Sequence, residues 1–406
     1  MSKQTKFIFV SKTLGWALLA LILILLILTP LLTSALLKAS VLPIGTLESW
    51  RYLEYSQSVL MKLCVAIWIF FLGGCFASFL NVIAYRLPRG RDVNGSSKCP
   101  FCETELSFSD NLPVYGWIRN SGQCRTCKTP IPLRYLIVEV VLGSVFLIIA
   151  FFEIINGGTN LPFHRSFNYQ GLVHLITKPR WDLIQITSYH LTLICLLFTV
   201  LLIRSERLQV PRKIFLWGLG LGIGLPLIWP DMTLIAWQVH DNHLIEIGRG
   251  SSNQFITFAY GAIAGSACGL LGSWITLNSK RRLEDRVHQS IIEQFDCVDD
   301  VIAAMCLVGI FLGWQAAFSV TLFFLFIQAV SLLLTRGNRP NMVTPSVAIL
   351  MATVLHLLTW QAFTYHPFWP SPTAKAGTTA VILTAILFTA TVLRKFTTDQ
   401  ISREER

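Results

Sequence analysis

The sequence predicts an all-α polytopic transmembrane protein of about ten spans with one small cysteine-bearing polar insert. Three observations predict it. The chain has 406 residues, of which 53% are hydrophobic and 14% charged, with a mean hydropathy of +0.58; a soluble domain carries about 25% charged residues. Apolar stretches close to the roughly 20 residues that a helix needs to cross the hydrocarbon core recur along the chain. A single long polar segment, 86–134, interrupts them and holds two Cys-x-x-Cys pairs. This composition excludes a disordered chain, a secreted disulfide scaffold and an ordinary cytosolic enzyme.

The first apolar stretch, 14–37, is uncharged and broken only by Pro30. It is too long for a signal-peptide core and has no clear small-residue cleavage site, so a retained anchor is expected. Further spans are expected over 60–85, 134–156, 183–203, 214–236, 256–277, 301–317, 318–335, 343–365 and 376–393. The division that follows is an anchor helix with an outer loop (1–58), a first domain with the cysteine loop (59–156) and a larger transmembrane domain (157–406). No internal repeat or low-complexity tract stands out.

The net charge of +11 invites comparison with nucleic-acid binders. Ten spans place both termini on one side of the bilayer, and the loops on that side contain 25 of the 33 lysines and arginines. The opposite loops contain seven and Lys62 starts a span. That asymmetry is the positive-inside pattern. It places both termini and the 86–134 loop in the cytoplasm, names the lipid bilayer as the partner of the apolar helices, and removes the reason to invoke nucleic acid.

Within the loop, Cys99 and Cys102 are followed by Cys124 and Cys127. Two such pairs at this separation are the pattern of a tetrahedral four-thiolate zinc site, each pair gripping one side of the ion. Arg125, Lys98 and Lys128 offset the thiolate charge, and Pro100 and Gly122 suit tight turns in a zinc-ribbon-like insert. Two disulfides are the competing reading, which a reducing cytoplasm disfavours. With four protein ligands the zinc is expected to be structural. The other six cysteines (Cys64, Cys75, Cys195, Cys268, Cys297, Cys306) lie in or beside apolar spans and read as small packing residues.

Segment 74–88 (GCFASFLNVIAYRLP) resembles the first-helix signature of bacterial prepilin peptidases, the type IV leader peptidase/N-methyltransferase family. Segments 97–102 (SKCPFC), 110–117 (DNLPVYGW), 122–127 (GQCRTC) and 130–139 (PIPLRYLIVE) continue the resemblance in order. It implies a multi-pass inner-membrane enzyme that cleaves the leader of pilin or pseudopilin precursors. Many members also methylate the new N terminus with S-adenosylmethionine.

Proteolysis in that family requires two aspartates at cytoplasmic helix ends, sharing a proton while they activate water. Where its first aspartate is expected, ahead of Pro211, this chain has Arg204, with Glu206 two residues along. On a helix that is a turn of about 200°, so Glu206 serves only if the helix has ended; otherwise it is a solvated charge beside Arg204 and Arg207. Segment 309–316 (GIFLGWQA) is similar to the run that follows the second aspartate. With a one-residue insertion, Asp300 takes that aspartate's place, beside Asp299 at the mouth of a span. Helix N-termini also favour acidic residues for dipole reasons alone.

The implied catalytic pair is therefore Asp300 and Glu206. An aspartic-type endopeptidase is the first functional reading. A diverged pseudoenzyme, acting as a membrane scaffold or substrate-docking protein, is the alternative. Glu139 matches the family at the start of its span, and Asp231 is expected at the outer interface. His190 and His356 lie at a depth where ionisable groups are functional candidates, although a satisfied buried histidine is the commoner outcome.

Overall fold

In the computed structural model the described residues are 47–162, 179–234, 251–278, 289–334 and 343–364. The expected spans at 14–37 and 376–393 lie outside them. The α-helices are α1 (Leu47–Arg86), α2 (Tyr115–Arg119), α3 (Leu133–Ala150), α4 (Trp181–Ser205), α5 (Arg212–Ile228), α6 (Ser251–Asn278), α7 (Gln289–Leu312), α8 (Trp314–Leu334) and α9 (Pro345–Thr364). Among the described residues there is no strand ladder, only two isolated bridges inside the cysteine loop.

Five described helical stretches are long and apolar enough to cross a membrane: Met61–Arg89, Leu133–Ile155, Trp181–Ser205, Trp314–Ser331 and Pro345–Thr364. The expectation of about ten spans is met only to that extent. Several boundaries differ for local reasons. Helix α1 begins at Leu47, inside the segment read as an outer loop. Helix α5 has only 17 residues and contains Pro226, which removes a backbone donor near its end. The stretches 301–317 and 318–335 are divided earlier than expected, at Gly313, whose φ of +90° breaks the helix. Helix α7 also starts at Gln289, so Asp299 and Asp300 sit about three turns inside it. An N-terminal dipole preference therefore does not account for them.

Close helix contacts rest on glycines. Gly261, Gly265 and Gly269 recur every four residues on one face of α6. A Cβ at these positions would meet, respectively, backbone at Gly309, Met305 and Ile302 on the antiparallel α7. Small residues allow this approach, and packing is the main attraction between helices in lipid. Gly218 and Gly222 of α5 lie against Leu307 and Phe311 of α7. Phe311 in turn stacks on Tyr189 at 4.4 Å, whose hydroxyl donates to the Gly222 carbonyl at 2.5 Å. The core so formed runs through α4, α7, α8 and α9. Trp68, Trp217, Ile228 and Phe326 stay exposed on the outside of the helices, where lipid takes the place of water.

A four-cysteine centre and the clamped carboxylates

The cysteine loop consists of two knuckles with the same local plan. In the first, the Cys99 amide donates to Thr104 and the Glu103 amide to Cys99 (both 3.0 Å). In the second, the Cys124 amide donates to Thr129 (2.8 Å) and the Lys128 amide to Cys124 (3.1 Å). Glu103 and Lys128, each just after the second cysteine, both take left-handed φ values of 55° and 59°. Bridges Lys98–Glu105 and Gln123–Pro130 close the two turns. The short repeat Cys-x-x-Cys-x-Thr, visible in the sequence at 99–104 and 124–129, is the signal that a search for long repeats passes over.

The four sulfurs lie within 4.8 Å of one another. Cys99 and Cys127 are 3.7 Å apart and Cys102 and Cys124 are 3.8 Å apart. A zinc tetrahedron with bonds of about 2.3 Å has sulfur–sulfur edges of about 3.8 Å, so the donor set matches the ion in number, chemistry and spacing. All four thiols are free. The Thr129 hydroxyl and amide beside Cys127 push its thiol down to about 6, and Thr104 does the same to Cys102 in direction. Both effects favour the thiolate that a metal needs.

The centre is braced against the membrane helices. Asp110 accepts from Asn120 Nδ2 (2.8 Å), the Ser107 hydroxyl (2.7 Å) and the Ser107 amide (3.0 Å). Burial works against its charge, yet these bonds and Arg125 leave its carboxyl below the usual range. Trp117 covers Gly122, where φ is +66° and a Cβ would strike the indole, and its Nε1 donates to Ile131 (3.3 Å). Glu139 on α3 accepts from the Val114 amide at 2.7 Å, and Pro113 rests on Gly74 of α1. Arg86 donates to the carbonyls of Val93 and Asn94, both at 3.1 Å. The loop is thus a rigid cap on the α1–α3 end.

Residues 71–152 match the sequence model of a family described as the bacterial peptidase A24 N-terminal domain. This segment is a domain of the prepilin peptidase family. Proteins named prepilin leader peptidase/N-methyltransferase are similar to the chain in Myxococcus xanthus, at 39% identity over 82 residues, 20% of this chain and 24% of the relative. One from Vibrio cholerae is 40% identical over 83 residues, 18% and 31% of the two chains. One from Stutzerimonas stutzeri is 26% identical over 184 residues, 37% and 58%. The similarity to the first two thus spans about a quarter to a third of the relatives' length. No solved structure matches the chain.

Beyond that domain lie the two carboxylates singled out from the sequence. Glu206 caps the end of α4, just past the last helical residue. Its carboxylate is ion-paired with Arg134, at the start of α3, and lies 3.8 Å from Arg89, just after α1. Asp300 on α7 is buried, and both Nε and a terminal nitrogen of Arg204 contact its Oδ2. The fold therefore brings Arg204, not Glu206, onto Asp300. Glu206 instead holds α4 to the two stems of the cysteine loop.

Proposed function

We propose that this chain is a membrane-embedded member of the prepilin leader-processing family that docks type IV pilin or pseudopilin precursors without cutting them at Asp300. The observation that carries this reading is the Arg204–Asp300 ion pair. An aspartyl dyad works because two carboxylates share one proton and divide the acid and base roles. The Arg204 guanidinium already occupies the Asp300 carboxylate, and Glu206, the other acid singled out from the sequence, is engaged by Arg134 and Arg89. Docking falls to the rigid cap over 86–134, which takes zinc as a structural ion through Cys99, Cys102, Cys124 and Cys127. Without cleavage there is no new N terminus to methylate, so this reading does not call on S-adenosylmethionine. The chain sits in the inner membrane with the cap in the cytoplasm, on the charge asymmetry of its loops.

Leader peptidase activity by Asp300 and Glu206 is the second reading, favoured by the names of the relatives and by the position of Asp300 ahead of the 309–316 segment (GIFLGWQA) that is similar to the family's. The test is co-expression with a pilin-like precursor, reading both its mass and its co-purification. The docking reading expects an uncut precursor that co-purifies, and loss of that association in a C99S/C124S chain. Leader cleavage abolished by Asp300→Asn and by Glu206→Gln would establish the peptidase instead.

A further inference from the structure

Far from the cysteine cap, the helix bundle encloses a polar cluster that neither reading uses. Glu153 ends the span that α3 begins and is wholly buried. It lies in a π-turn, Phe151–Ile155; such turns re-aim side chains and often mark functional positions. Its Oε1 is 2.8 Å from Nδ1 of His190 on α4, itself 1% exposed. Asn160 Nδ2 donates to the same oxygen (3.3 Å) and to the Leu357 carbonyl on α9 (2.9 Å). Trp360 separates His190 from a second buried histidine, His356, with ring centroids 5.7 and 5.0 Å away. His356 Nδ1 is 2.7 Å from the Ser319 hydroxyl on α8.

Two buried oxygens in this cluster have no hydrogen-bond partner, Glu153 Oε2 and Asn160 Oδ1. Because Asn160 Nδ2 already serves two acceptors, flipping the amide does not relieve its oxygen. The cluster is therefore short of hydrogens, not of acceptors. An ionised carboxylate beside a neutral imidazole would leave one uncompensated negative charge at a buried, low-dielectric position, which is far costlier than a charged or neutral pair that is hydrogen-bonded. We propose that Glu153 and His190 form an intramembrane proton-binding site that holds one proton between them at neutral pH.

The count is one because of what faces the pair. On α9 the only ionisable neighbour described is His356, and a second proton there would place two positive charges either side of Trp360. On α4, Arg180 and Asp182 at the helix start bind each other at 2.5 Å, so they add no net charge. From α8 the Ser319 hydroxyl faces His356. The site lies fourteen residues before Arg204 on α4, about 21 Å along the helix. It is thus separate from the Arg204–Asp300 pair.

The test uses the full chain with 15N-labelled histidine in lipid nanodiscs, with H190Q assigning the His190 resonance. Infrared spectroscopy, with E153Q as the subtraction, reads the Glu153 carboxyl. At pH 7 the wild-type chain should show either a charged His190 imidazole with an ionised Glu153, or a neutral His190 with a protonated Glu153. Where the proton rests on His190, the charged-imidazole signal should fall about tenfold in E153Q, the change that about 1.4 kcal/mol of lost pairing gives. Where it rests on Glu153, the protonated-carboxyl band should be lost in E153Q while His190 stays neutral. If E153Q does not fold, E153D, which shifts the carboxyl band, supplies the subtraction. A neutral His190 beside an ionised Glu153 would overturn the proposal, because a buried water would then satisfy the orphan oxygens. Spectra that change when sodium and potassium are replaced by N-methylglucamine would overturn it in favour of a metal cation. A charged His356 alongside a charged His190 would overturn the single-proton count.

Discussion

Arg204→Ala should destabilise the helix bundle by about 3–5 kcal/mol, the usual cost of removing one member of a buried ion pair. The magnitude follows from where the partner is left. The Asp300 side chain is 10% exposed and that of Arg204 17%, so water does not replace the lost guanidinium. Asp300 also sits within the continuous α7 helix, beside Val301 and Ala304 in the core, and has little room to turn outward. By contrast, Glu206 is 32% exposed with partners at 30% and 40%, so Arg89→Ala should cost only about 0–1 kcal/mol. Chemical unfolding in a mild detergent, followed by tryptophan fluorescence, would measure both. The double change R204A/D300A is the control, because removing both charges leaves neither uncompensated. It should cost less than the sum of the single changes, with a coupling of about 2–3 kcal/mol. Additivity to within about 0.5 kcal/mol would refute the ion pair as a stabilising contact between α4 and α7, and with it the main support for a non-cleaving site.

Purified protein should hold about one zinc per chain, measured by elemental analysis. C99S/C124S should lose it, and full zinc retention in that variant would reject the four-thiolate centre. Zinc should also leave as pH falls, since every ligand must be a thiolate. Cys127, pushed down to about 6, should protonate at lower pH than Cys99, whose thiol is pushed up, as read by cobalt–thiolate absorbance of a substituted sample. Gly122→Ala places a Cβ both at a left-handed φ and against Trp117, and should speed zinc release to a chelator while leaving the helix content by circular dichroism unchanged. Gly309→Ala strikes the Gly261 backbone of α6 and should instead lower the unfolding midpoint without altering zinc content. A reporter fused after Arg119 should read as cytoplasmic; an external reading would reverse the orientation inferred from the loop charges.

Much of the cysteine cap was legible in the sequence because its constraints are local. Cysteines paired across two intervening residues, glycine at the positive-φ turn and the acidic residue at 110 act over a short stretch of chain, so spacing carries their geometry. The apolar stretches were legible for the same reason, since hydropathy is a property of consecutive residues. Their boundaries were less so. The break at Gly313 and the early starts of α1 and α7 depend on backbone and packing choices that an unbroken hydrophobic run does not mark. Glu153 passed unnoticed because it closes an apolar run and has no polar neighbour in sequence.

By itself, then, the amino-acid sequence determined that the chain is helical and rich in membrane-span-like stretches, and that two Cys-x-x-Cys pairs lie close enough in the chain to share one ion. Only the tertiary structure decided which charges meet. Arg204 and Asp300 are 96 residues apart, Glu206 reaches back to Arg134 and Arg89, and Glu153 finds His190 37 residues away. In a low-dielectric bundle a buried charge is tolerable only beside its complement, and that choice is made by helix packing across distances that residue spacing does not encode.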